Sequence, residues 1–155
     1  MINMDFKRYK AIVYQVIGIA MEVQKELNWG LLEPIYNEAM HLELMDKGID
    51  HEIQKNIPCY YKGQKMEKHY QVDLLVQDSI IVELKSANKL IAAHRAQLFN
   101  YMRLTKKPIG LLINFGQPKL QGERYGLNPI TNECVLLDKD MNELYLDDEN
   151  QETDE

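Results

Sequence analysis

Cysteine is scarce in this chain: Cys59 and Cys134 are the only two, and they have neither a metal-site spacing nor a partner pattern. They read as buried or reduced thiols, and a cytoplasmic, reducing setting is the expectation. Glycine-rich phosphate loops, a serine elbow and paired Cys motifs are also missing, so nucleotide hydrolysis, acyl transfer and zinc-ribbon readings lack support. No apolar stretch is long enough to span a bilayer, and no membrane partner is expected. AIVYQVIGIAM, preceded by Lys7, Arg8 and Lys10, superficially resembles a signal peptide, but Tyr14 and Gln15 interrupt it and the helical period continues past Glu22 to Leu27. Positive charge is in deficit, with 18 Lys and Arg against 24 Asp and Glu. The imbalance is local, because residues 138–155 hold nine acidic side chains against Lys139 alone, which leaves residues 1–137 at about +2.

What remains is an ordinary globular composition, 45% hydrophobic and 27% charged over 155 residues, enough for one domain with a real core. Residues 8–27 place Val13, Ile17, Ala20, Met21 and Leu27 at helical spacings, and Asn28 and Gly30 end that helix. A second helix is expected from Leu31 or Leu32 to about Lys47, with Pro34 in its first turn. HEIQKNIPCYY and MEKHYQVDLLV read as strands around the turn residues KGQK, and a third helix is expected from about Asn88 to Thr105. IGLLINF reads as a strand buried on both faces. QPKLQGERYGLNPITN is loop-like, VLLD and ELYL suggest a small terminal hairpin, and disorder is expected beyond Leu146. The sum is one mixed αβ domain over residues 1–137 followed by an acidic tail at 138–155.

The chain is organised around Tyr70–Leu90, YQVDLLVQDSIIVELKSANKL. VDLLV and IIVEL read as two antiparallel strands carrying three charges, Asp73, Glu83 and Lys85, which are costly there unless they act together. The strand period puts Glu83 and Lys85 on one face and Ile80, Val82 and Leu84 on the other. Asp73 joins them only if it lies opposite Glu83, which requires a three-residue connection, Gln77 to Ser79, or a bulge. Two carboxylates on one face repel each other and invite a hard cation, with a lysine ammonium beside them to offset charge. This is the outline of a metal-dependent phosphodiester hydrolase.

Two further groups accompany the triplet. Glu33 opens the second helix, where the helix dipole favours a carboxylate in any case; it is also a candidate metal ligand or water-orienting base. His94, Gln97 and Tyr101, spaced by three and four residues, form a polar stripe that either faces solvent or positions catalytic groups and phosphate oxygens. Lys89, Arg95, Arg103, Lys106 and Lys107 flank this region in sequence, as solvated faces or as holders of a nucleic-acid backbone.

Asp73, nine intervening residues and Glu83-Leu84-Lys85 together resemble the signature of the PD-(D/E)xK nuclease superfamily, with Val72 in place of the proline. AQLFNY, through Gln97 and Tyr101, is similar to the QxxxY element of its RecB-like branch. GLLEPIY, through Gly30, Glu33 and Tyr36, matches the GxxExxY motif of small prokaryotic proteins, and the likeness covers roughly residues 10–120. The resemblance implies an α/β (mixed α+β) restriction-endonuclease-like core, a mixed central sheet flanked by helices. It implies a magnesium site, with manganese as a possible substitute, held by Asp73, Glu83, the backbone carbonyl of Leu84 and, as an outer or second-ion ligand, Glu33. Lys85 would orient the attacking water and stabilise charge on the phosphorane-like transition state, with Gln97 and Tyr101 in support.

The leading expectation is therefore a magnesium-dependent nuclease acting on nucleic acid, with DNA the expected substrate and a protein partner or a homo-oligomer supplying binding surface that a small body lacks. The alternative is a non-catalytic nuclease-fold module that binds a protein or nucleic-acid partner. A third reading makes the charged triplet a structural ion-pair network.

Overall fold

The computed structural model describes residues 5–144. After a short 3-10 turn at Phe6–Tyr9, helix α1 (Lys10–Leu27) buries Val13, Val16, Ile17, Ala20 and Val23, the stripe that helical spacing dictates. It stops where Asn28 turns left-handed, at φ 65°, and donates its N–H to Gln24 O at 2.8 Å. Helix α2 (Glu33–Asp46) has Pro34 in its first turn and buries Tyr36, Met40 and Leu44, one residue per turn.

Six strands follow in one sheet whose spatial order is their sequence order: β1 (His51–Tyr61), β2 (Gln64–Val76), β3 (Ile80–Lys85), β4 (Ile109–Asn114), β5 (Gln121–Leu127) and β6 (Cys134–Leu137). Helix α3 (Ala92–Thr105) is the crossover between β3 and β4, the single parallel pair among the described strands. A parallel step needs such a crossover, and helices on both faces let its strands be apolar throughout. All six residues of β4, and the first five of β3, are buried. α1 and α2 pack with Ile80, Val82 and Leu84 on one face, and α3 packs with Leu75, Ile81 and Leu112 on the other. The result is a mixed sheet flanked by helices, as expected.

β2 and β3 pair Val76 with Ile80 and Leu74 with Val82, so the connection is the three-residue Gln77–Ser79. Gln77 and Asp78 both have positive φ there. One expectation needs correction. The stretch after Gly116 is not all loop, because Gln121–Leu127 is a strand paired to the full length of β4. Its glycines and charged residues hid the pattern, yet Gly126 is required: a Cβ there would lie 2.6 Å from the Phe6 ring. At the expected terminal hairpin, Leu137 and Glu143 form an antiparallel bridge and the Leu144 N–H donates to Leu136 O at 2.8 Å, while Tyr145 and Leu146 lie outside the described residues. The expected disorder beyond Leu146 lies outside the described residues. Cys59 and Cys134 are both free thiols and only partly buried.

Candidate active site

The β2–β3 ladder opens where its two carboxylates face each other. The register that pairs Leu74 with Val82 sets Asp73 across from Glu83, but side chains replace the ladder bonds there. The Asp73 N–H donates to Glu83 Oε1 at 3.0 Å, and the Leu84 N–H donates to Asp73 Oδ2 at 2.8 Å. Within a strand a residue's N–H and C=O point to the same side, so the Leu84 carbonyl also faces the opening. On the other side of β3, Lys85 O accepts from the Phe115 N–H at 2.8 Å. β1 is irregular at the same level: Gln54, between Ile53 and Lys55, is left-handed at φ 48°, and those neighbours pair with Leu74 and Val72 on either side of Asp73. A bulky residue held in that region marks local strain of the kind that collects at functional sites.

Burial raises the affinity of both carboxylates for protons. Glu83 is 3% exposed, and burial together with the charge of Asp73 pushes its pKa up to about 9. Asp73 is also raised, by burial first, although the Leu84 N–H and the Lys85 ammonium work the other way. Lys85 does not neutralise the pair by direct contact: among the described residues, no ion pair within 4.0 Å joins it to either carboxylate. A closed structural ion-pair network is therefore not what these residues form.

Lys85 is held instead by α3. Its Nζ donates to Gln97 Oε1 at 2.9 Å, and Gln97 Nε2 donates to the Tyr101 hydroxyl at 2.9 Å. The polar stripe faces the sheet rather than solvent, and Tyr101, buried against Tyr70 with ring centroids 5.4 Å apart, closes the chain. His94 accepts the Ile91 N–H on Nδ1 at 3.2 Å, which assigns the proton of the neutral ring to Nε2. Burial, and then the charge of Lys85, lowers the His94 pKa, which favours that neutral form.

Glu33 is positioned by the turn before α2. Tyr36 is fully buried and stacks on Phe115 at 4.2 Å; its hydroxyl donates to Asn28 O at 2.8 Å and accepts the Leu31 N–H at 3.1 Å. The Gly30 N–H reaches Phe115 O at 2.9 Å, and Ser86 Oγ donates to Leu31 O. Within GLLEPIY, then, Gly30 and Tyr36 pin the turn to the ends of β3 and β4, and Glu33 projects from it. Glu33 and Asp73 line one cavity of about 520 Å³, with Pro34, Asn37, Glu38, His41, Ile53 and Gln54. The structure thus gathers Asp73, Glu83, Lys85, Gln97 and Tyr101 at one opening, with Glu33 at the rim of the adjoining cavity.

Several supporting residues carried no signal in the sequence. Asn114, fully buried at the end of β4, accepts the N–H groups of Ala87 and Gly116 at 2.9 and 3.0 Å and donates to Ala87 O and Gln121 Oε1. It fixes the turn that follows Lys85. Gly116 lies against that turn so closely that a Cβ would meet Ala87 O at 2.0 Å. The flanking cations are mostly committed elsewhere: Arg95 makes a bidentate pair with Glu123 at 2.8 and 2.9 Å, Arg103 and Lys106 bond Asn132, and Lys107 pairs with Asp78.

Among the described residues no group of three or more His, Cys, Asp and Glu side chains forms a ready metal cage. The donor set nevertheless suits a hard cation. Magnesium takes one or two carboxylates and keeps several waters, and the Asp73–Glu83 pair, half-buried at Asp73 and buried at Glu83, is short of positive charge.

A mixed sheet with an Asp, Glu and Lys at the opening of its central strands defines a class of phosphodiester-cleaving proteins. The sequence profile of the PD-(D/E)XK nuclease superfamily matches residues 10–125, and the chain belongs to that superfamily. Comparison with curated proteins finds no match. Among solved structures, the crystal structure of SSO0001 is similar, with 14% identity and a TM-score of 0.48 over 81% of this chain. This chain spans 64% of the length of that one. No described helix is long and apolar enough to cross a membrane.

Proposed function

We propose that this protein is a magnesium-dependent DNA nuclease of the GxxExxY group, in the RecB-like branch of its superfamily, that hydrolyses phosphodiester bonds at the β2–β3 opening. The observation that carries the reading is the opened ladder itself. The buried Glu83, the half-buried Asp73, a backbone carbonyl and a lysine tied to α3 converge where a strand pair would otherwise have continued, beside an open cavity.

Asp73, Glu83 and the Leu84 carbonyl would hold the magnesium ion, with Glu33 as an outer ligand across the cavity. The bound ion supplies charge stabilisation at the phosphate and lowers the pKa of water. The chain's own residues do the rest. Lys85, aimed by Gln97 and backed by Tyr101, donates to the phosphate oxygen on which negative charge grows and orients the incoming water. His94, neutral with a proton on Nε2, offers a further donor near Lys85 and Glu33. Manganese would substitute, having the same taste for oxygen ligands.

Incubation with single-stranded, duplex and branched DNA and RNA, with magnesium or manganese, tests this. Metal-dependent cleavage of DNA that falls by a factor of about 10²–10³ in Lys85→Ala, and is lost in Asp73→Ala, is the expected result. Magnesium binding with no cleavage of any substrate would instead favour the non-catalytic module.

A further inference from the structure

The hairpin of β1 and β2 outruns the sheet. Residues Gln64–Gln71 are exposed in succession, eight residues that span about 25 Å at strand rise. The tip turns through Lys62 and Gly63, both at positive φ, and the register slips between Pro58 and Tyr60. Lys62, Lys65 and Lys68 are all exposed on it against Glu67 alone, on a chain whose net charge is -6. Among the described residues none of these three lysines joins an ion pair. Lysines by themselves would only stop an edge strand from pairing with another chain. Tyr60 and Tyr61, at 62% and 64% exposed, and Met66 at 44%, work against that purpose and offer contact area instead.

The root of the hairpin is fixed to the active site. Tyr70 packs on Tyr101, whose hydroxyl meets Gln97 and through it Lys85, and three residues further along the same strand is Asp73. Of the cations nearer the site in sequence, Arg95 is occupied by Glu123 and Lys107 by Asp78, while Lys89 is exposed as a single charge beside the opening. The hairpin thus gathers three exposed lysines on one extended surface that leads to the catalytic opening.

We propose that Pro58–His69 is a duplex-binding arm, a two-stranded ribbon whose lysines engage phosphates and whose tyrosines contact the groove, aligning one strand of the duplex with Asp73 and Glu83. This rests on the nuclease reading for its purpose but not for its test. A two-stranded ribbon fits the major groove, and about 25 Å of duplex presents about 15 phosphate charges.

Anisotropy with a 30-base-pair duplex, in a Lys85→Ala background so that binding is read without cutting, tests the arm. Replacing Lys62, Lys65 and Lys68 by alanine is expected to make the slope of log affinity against log salt shallower by about 2.7. Across 50 to 200 mM salt the parent then loses about 40-fold more affinity than the triple variant. Tyr60→Ala with Tyr61→Ala should weaken binding and leave the slope unchanged, while Lys25→Ala on α1 should change neither. An unchanged affinity and slope in the triple variant would overturn the proposal. So would equal affinity for a single strand of the same length, or a dimer that dissociates when Tyr60 and Tyr61 are replaced. Duplex binding with the expected slope but no cleavage by the wild-type protein would leave the arm standing and remove the catalytic reading.

Discussion

Glu83→Gln should stabilise the metal-free protein at neutral pH. In the folded state burial and the neighbouring Asp73 charge raise the Glu83 pKa from 4.5 to about 9, whereas the unfolded chain ionises it near 4.5. Folded protein therefore binds more protons than unfolded protein between these values, and stability falls as pH rises through that window. From pH 4.5 to 7 the linkage amounts to about 3 kcal/mol, or roughly 6–12 °C in melting temperature for a chain of this size. A glutamine in the same place keeps an oxygen to accept the Asp73 N–H and carries no charge, so this decline disappears from the variant. Urea unfolding of both proteins in chelator, at intervals from pH 4.5 to 8, measures the difference and cancels the titrating groups remote from Glu83, leaving the Asp73–Glu83 pair. Magnesium should then restore the wild type at pH 7 and leave the variant nearly unmoved, because the ion supplies the charge that the buried pair lacks. Parallel pH curves for the two proteins would refute the account of Glu83 as a buried, uncompensated carboxylate.

Tyr36→Phe removes the hydroxyl that joins Asn28 O to the Leu31 N–H, and should cost about 1–3 kcal/mol by thermal melting while reducing cleavage through a loosened Glu33 turn. Gly116→Ala forces a Cβ to within 2.0 Å of Ala87 O and should destabilise by more than about 3 kcal/mol in urea, whereas Gly18→Ala, in open space on α1, should gain roughly 0.5–1 kcal/mol.

Part of the site was legible in the sequence because it rests on short-range periods. Glu83 and Lys85 share a face because they are two apart, and the three-residue connection at Gln77–Ser79 follows from asking that Asp73 meet them. The spacing of His94, Gln97 and Tyr101 likewise placed them on one helical face. Nothing local, however, says which way that face turns; the packing of Leu98 and Met102 against Ile81 and Leu112 rotates it toward Lys85. β5 was invisible for a similar reason, since its glycines accommodate Phe6 and Ile17, which are more than a hundred residues away in the chain. Asn114, the strained Gln54 and the committed Arg95 also depend on distant partners. The two-sided exposure of the β1–β2 hairpin was equally hidden, because alternation along a strand shows which residues share a face and not whether any layer covers it. Periodicity along the chain determined the three helices, the strands other than β5, and the face that Asp73, Glu83 and Lys85 share. Burial, the opening of the ladder and the surfaces left free were decided only by contacts that tertiary packing creates.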